Sequence, residues 1–173
     1  KISRHILNKG KQTLWDARKK REKPDTDEKI ITAWNGLMIT AFSKAASVFG
    51  EKKYCETASR SAQFIWDHQW SEKGLLRIYK DGQSKIAGCL DDYAYFLEGL
   101  LALYEASFEY GWIEKARQVA DKMIEEFWDE TDGGFFMTGN SQQQLIARLK
   151  NPADEAVPSA NAIAAHSLLQ LVH

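Results

Sequence analysis

The sequence predicts an all-α chain of αα-hairpin repeats with small β-hairpin loops, forming part of an α/α toroid, and three observations predict it. Apolar residues recur at helical spacing through most of the 173 positions. Two stretches repeat the same order of features at one offset, which carries Tyr54 onto Trp112 and Ala58 onto Ala116. Each stretch opens on polar residues and closes on a glycine-containing turn between short apolar runs.

The first element, Ile2 to Lys20, reads as a helix belonging to a preceding unit, residues 1–24, with Pro24 as its boundary because proline bars helical backbone in the residue before it. Its basic run, Arg18 to Arg21, is ordinary helix-end charge. The first repeat, 34–88, begins at Asn35-Gly36 and continues through Leu37, Ala41, Ala45 and Val48 to Gly50. Asn35 is expected as the N-cap, and Trp34 with Ile39 as a hydrophobic staple. Tyr54, Ala58, Ala62, Ile65 and Trp66 mark the partner helix. The run Gly74 to Tyr79 with turn Asp81-Gly82 then predicts a small β-hairpin.

The second repeat, 91–151, starts at Asp91-Asp92-Tyr93, with Asp91 as the expected N-cap and Leu97, Leu100, Leu101 and Tyr104 along the helix. A break at Gly111 leads to a partner carrying Ala116, Ala120, Met123 and Phe127. A second hairpin is expected from Gly133 to Thr138, turning at Gly139-Asn140 and returning over Leu145 to Lys150. The third repeat, 157–173, opens at Pro158-Ser159 and stops before a partner helix, so the chain reads as a truncated piece of a ring. An incomplete ring exposes apolar faces, which predicts self-association.

Composition narrows the function. With 23 basic against 24 acidic side chains, no overall field draws the chain to nucleic acid. No apolar run approaches the roughly 18 residues of a membrane span. Cys55 and Cys89 stand alone, without CxxC or clustered histidines, so neither a disulfide framework nor a metal site is expected and a reducing, cytoplasmic setting fits. No phosphate-cradling loop or nucleophile elbow occurs, and no cofactor is implied.

The run Lys23-Pro24-x-x-Asp27-x-Lys29-Ile30-x-x-Ala33-Trp34-Asn35-Gly36-Leu37-Met38-Ile39 resembles the spermatogenesis-associated protein 20 family. Leu90 to Ala94, Gly99 to Ala106, Asp132 to Phe136 and Pro158-Ser159-x-Asn161 extend the resemblance over nearly the whole chain. It implies a toroid similar to those of six-hairpin glycosidases and N-acylglucosamine 2-epimerases. It also implies a thioredoxin-like domain upstream and outside this chain, and, by fold analogy, carbohydrate metabolism.

Such a toroid gathers the starts of its inner helices on one rim, which brings Trp34-Asn35, Asp91-Asp92-Tyr93 and Ser159-x-Asn161 together. Aromatic faces stack on sugar C–H faces while carboxylates and amides bind hydroxyls, so a sugar or polyol ligand is expected there. Asp92 and Asp91 are the candidate acids, and Trp34, Asn35, Tyr93, Ser159 and Asn161 the candidate ligand contacts. Neighbouring helix residues diverge by about 100°, so a second acid has to come from Asp27, Asp154, Glu155 or elsewhere in the ring. His166, two turns beyond Ser159, matches the proton-transferring histidine of epimerase-like toroids. Arg148 and Lys150 alternate on one strand face and suit an anionic group. Against this enzyme reading stands a non-catalytic interaction toroid serving the thioredoxin-like domain, in which the same residues simply start helices.

Overall fold

The computed structural model describes residues 2–142 and 147–172. Helices dominate: α1 (Ile2–Lys19), α2 (Thr32–Phe49), α3 (Lys52–Gln69), α4 (Leu90–Ser107), α5 (Tyr110–Phe127) and α6 (Ala160–Val172). Four short strands, β1 (Ile30–Ile31), β2 (Trp70–Ser71), β3 (Gly74–Lys80) and β4 (Gln83–Ala87), complete the described elements.

The offset read from sequence recurs in the elements, since Thr32 to Leu90 and Lys52 to Tyr110 are the same step. Helices α2, α4 and α6 form the inner layer, and α3 and α5 back them. Helix α4 is apolar nearly all round because α2, α5 and α6 all pack on it, and Phe96, Leu97, Leu100 and Leu103 have no exposed surface. Gly36 permits the α2–α4 approach: a Cβ there would stand 2.5 Å from the Tyr95 carbonyl carbon. The Asn35-Gly36 pair is therefore a helix-packing feature. Helix α1 is exposed along its described side chains, its apolar Ile6, Leu7, Leu14 and Trp15 included.

Three helix boundaries differ from expectation. Helix α2 begins at Thr32 rather than Asn35, because Ile31 ends a strand and its carbonyl accepts the Asn35 Nδ2 proton at 2.9 Å. Trp34 thus sits inside the first turn, 64% exposed, and makes no staple with buried Ile39. Helix α4 is capped by Cys89, not Asp91, with Asp92 closing a capping box onto the Cys89 amide. The α4–α5 break falls at Phe108 rather than Gly111, where Phe108 turns left-handed and its N–H bonds the Tyr104 carbonyl.

The first loop forms the expected hairpin, β3 against β4 with Leu76 opposite Ala87 and Lys80 opposite Gln83, turning through left-handed Asp81 and Gly82. β3 also pairs with β1 and β2, antiparallel in both cases. The second loop is not a ladder: among its described residues only an isolated Trp128–Phe135 bridge forms. Leu145 and Ile146, the start of the expected return strand, lie outside the described residues. The following stretch, residues 147–151, runs back as irregular chain, its Leu149 carbonyl accepting from the Met137 amide at 2.8 Å.

Candidate functional site

The inner-helix starts converge as expected, yet the side chains divide into those that build the rim and those that face its cleft. Asp92 belongs to the first group. It is fully buried, and its carboxylate accepts from the Ala33 amide at 3.0 Å, the Cys89 amide at 2.9 Å and Arg77 Nη1 at 3.0 Å. These bonds tie α2, β3 and α4 at one atom pair. Burial pushes the Asp92 carboxyl above its ordinary value despite Arg77 and the two amides. Burial disfavours the Arg77 guanidinium, but the attraction of Asp92, with Cys89 and Asp91, outweighs it and holds Arg77 more firmly charged than usual. Desolvation likewise pushes up the Cys89 thiol, against the pull of Arg77. Sequence reading passed over Arg77. Its signal was parity, since on β3 it shares a face with Leu75, which is buried beneath Tyr93.

Tyr93 is buried too. Its Oη accepts the Leu75 amide at 2.7 Å, and burial lifts the phenol to about 12. Asn35 Oδ1 accepts from Ser61, which locks it between α2 and α3. Ser159 is a helix start: its Oγ accepts the Ala162 amide at 3.4 Å, and its carbonyl the Ile163 amide at 3.0 Å. Asn161 clasps Phe135 with both ends of its amide, accepting from the backbone N–H at 2.8 Å and donating to the carbonyl at 2.9 Å.

Arg148 holds its own loop. It donates to the Thr138 carbonyl, the Glu126 carbonyl and Asn140 Oδ1, and lies 4.1 Å over the Phe136 ring. Lys150 pairs with Asp129 and donates to the Gly133 carbonyl. The two cations expected to hold an anionic ligand are thus spent within the loop. His166 is exposed on α6, with no hydrogen bond among the described residues.

The cleft itself lies between the starts of α4 and α6. It measures about 110 Å³ and is lined by Asp91, Tyr95, Asn151, Glu155, Ser159 and Asn161, with Leu90 and Met137 among its apolar walls. Asp91 is half-buried and accepts no hydrogen bond from any described side chain or backbone amide. Glu155, one of the acids considered as its partner, reaches the same cleft. Tyr95 is buried, donates to the Pro158 carbonyl at 2.5 Å, and is raised to about 12 by burial and then by Asp91 and Asp154. Sequence reading missed Tyr95 and Asn151, which fall outside the three rim motifs. Tyr95 lies one helical turn beyond Asp91 on the same α4 face, a spacing that could have found it. Among the described residues no group of three or more His, Cys, Asp or Glu side chains could hold a metal ion, and no helix is long and apolar enough to cross a membrane.

No protein-family model matches the chain. Solved structures share its fold: a cellobiose 2-epimerase from Spirochaeta thermophila DSM 6192 aligns with TM-score 0.63 and 18% identity over 86% of this chain and 38% of that one. A sugar epimerase from a ruminal bacterium aligns with TM-score 0.65 and 14% identity over 85% and 39%. At these identities the likeness establishes the α/α-toroid architecture alone. Sequence similarity is closer elsewhere. Human spermatogenesis-associated protein 20 is 38% identical over 97% of this chain, and an uncharacterised Caenorhabditis elegans protein 31% identical over 95%. The chain spans about a quarter of each, 23% and 24%. Matched over nearly all its length, the chain is similar to one segment of the spermatogenesis-associated protein 20 relatives.

Proposed function

We propose that this chain supplies one side of a carbohydrate-binding rim in a larger α/α toroid, with Asp91 and not Asp92 as the acid that meets the ligand. The observation that carries this reading is the cleft, where Asp91 has no hydrogen-bond or ion-pair partner among the described residues and lies beside Tyr95, Asn151 and Glu155. Carboxylates and an amide around an aromatic wall suit hydroxyl groups. The sugar-epimerase folds among the structural neighbours favour carbohydrate modification, by hydrolysis or isomerisation. Asp92 is saturated by Ala33, Cys89 and Arg77, so its part is to hold the rim in shape. Exposed Trp34 and His166 remain available to the ligand or to residues from the rest of the ring.

Titration with cellobiose, followed by amide chemical shifts, tests the reading. Shifts should gather at Asp91, Tyr95, Asn151 and Asn161, and Asp91→Asn should weaken binding about fivefold, the worth of one ordinary hydrogen bond. Shifts scattered elsewhere would remove the rim from consideration.

The second reading is a non-catalytic interaction toroid beside a thioredoxin-like unit, and one observation favours it. Trp34, Met38 and Val48 leave an apolar stripe of α2 open to solvent. The same stripe supports self-association of the chain. If Trp34→Ala abolishes a dimer seen in sedimentation while Asp91→Asn leaves cellobiose titrations unchanged, this second reading replaces the first. The division into units 1–24, 34–88, 91–151 and 157–173 belongs to the proposal, as does the cytoplasmic setting, which two free cysteines support.

A further inference from the structure

The part of the cleft that this chain closes off is tight beside an enclosing ligand pocket. Pockets that enclose small-molecule ligands run to roughly 300–1,000 Å³, against about 110 Å³ here. One wall is unlike the others. Leu90, Asp91 and Tyr95 belong to α4, and Ala160 and Asn161 to α6, whereas residues 151–158 form an irregular strap whose residues from Pro152 to Pro158 are all exposed.

The strap is tied partly to itself and partly to the helix starts beside it. Asn151 Oδ1 accepts the Ala153 amide at 3.1 Å, Asn151 Nδ2 donates to Glu155 Oε1 at 3.0 Å, and the Glu155 amide donates to the Val157 carbonyl at 3.0 Å. At its far end, Asp154 accepts the amide of Ser159 at 2.8 Å. From the helical body, Tyr95 Oη donates to the Pro158 carbonyl at 2.5 Å, and at the start of α6 the Ser159 Oγ donates to the Asn151 carbonyl at 3.3 Å.

We propose that the 151–158 strap is the movable wall of the ligand site, latched by Tyr95, and that it carries Glu155 in as the carboxylate facing Asp91. This rests on the carbohydrate reading above for the identity of the ligand, but not for the latch. Releasing the phenol from Pro158 lets the strap swing from the α4–α6 seam, enlarges the cleft and uncovers Asp91. Re-forming the bond around a bound ring brings the Glu155 carboxylate to the opposite side from Asp91. Tyr95 is a positioning residue in this scheme, and Glu155 touches the ligand.

The test uses the chain with Tyr95→Phe, which keeps the ring and deletes the latch. The Ser159 amide is the reporter, because its residue is buried while its acceptor, Asp154, rides on the strap. Hydrogen exchange at Ser159 should quicken about fivefold, the ratio set by one ordinary hydrogen bond, with the far-ultraviolet circular dichroism unchanged. Cellobiose should also associate about fivefold faster, since the open form is no longer held back. Glu155→Gln keeps an oxygen for Asn151 and serves as the second variant, leaving Ser159 exchange at the wild-type rate while weakening cellobiose about fivefold. Unaltered Ser159 exchange in a folded Tyr95→Phe chain would overturn the latch, and unaltered affinity in Glu155→Gln would overturn its ligand role. If no form binds cellobiose yet exchange quickens as expected, the carbohydrate reading fails and the latch stands.

Discussion

Gly74 and Gly134 occupy matching places in the two loops that follow the outer helices. Both have positive φ, and in each case the next residue's amide donates to a side chain near the start of the following inner helix, Leu75 to Tyr93 Oη and Phe135 to Asn161 Oδ1. Both of those residues also pair back to a tryptophan at the end of the outer helix, Trp70 with Leu75 and Trp128 with Phe135. Beyond this shared device the loops part. The first continues as a ladder of backbone bonds from Leu76–Ala87 to Lys80–Gln83. In the second, side chains replace the ladder: Arg148 and Asn140 grip the end of α5, and Lys150 closes on Asp129. Where backbone pairing saturates the loop, its one inward cation, Arg77, is left to reach the next helix. Where it does not, the cations are engaged in place, Arg148 by the Thr138 and Glu126 carbonyls and Lys150 by Asp129.

The sharpest way to break the comparison is to remove the side chain that anchors each loop, Asp92 of α4 for the first and Arg148 for the second. Asp92→Ala strips three donors of their acceptor at a fully buried position and should cost about 3–4 kcal/mol, the lower part of the range for breaking a buried ion pair because Arg77 is one-third exposed. Arg148→Ala should cost about 2 kcal/mol, since its carbonyl partners lie near solvent. Urea unfolding of both variants measures this, and equal losses would erase the distinction between ladder and clasp. The glycines come next. A Cβ on Gly74 would stand 2.2 Å from Tyr93 Oη, whereas on Gly134 it would stand 3.4 Å from Asn161 Oδ1. Gly74→Ala combines a left-handed backbone with a clash and should lose about 3 kcal/mol. Gly134→Ala meets only the backbone cost of about 1–2 kcal/mol, and thermal melts that reversed this order would show the two turns are not equivalent.

The smallest effect is in pH. Lys150, first among its neighbours, holds the Asp129 carboxyl below its ordinary value of 3.8, so the stabilisation it gives is present above that pH and is lost as pH falls through the lowered value. Asp92 has the opposite sign. Its carboxyl is raised by burial, so its contribution is complete below 3.8 and declines as pH rises through the raised value. Melting temperatures from pH 3 to 6 should therefore respond in opposite directions to Asp129→Asn and Asp92→Asn. Parallel responses would contradict the assigned causes.

Helical spacing and a repeated offset were legible because they depend on which residues face a core, and a hydrophobic stripe records that in one dimension. The all-α hairpin plan, the first β-hairpin and the gathering of inner-helix starts all followed from it. Which of two adjacent acids faces the cleft did not. Asp91 and Asp92 have the same chemistry, and only the packing of α2 against α4 turns Asp92 toward the Ala33 amide and leaves Asp91 in the cleft. Arg77 and Tyr95 were hidden for the same reason, since their partners lie 15 and 63 residues away along the chain. The sequence by itself determined the helices and the rim, whose signals are local and periodic. The tertiary structure alone decided which polar groups are satisfied within the rim and which face the cleft, because a hydrogen bond depends on where distant residues meet.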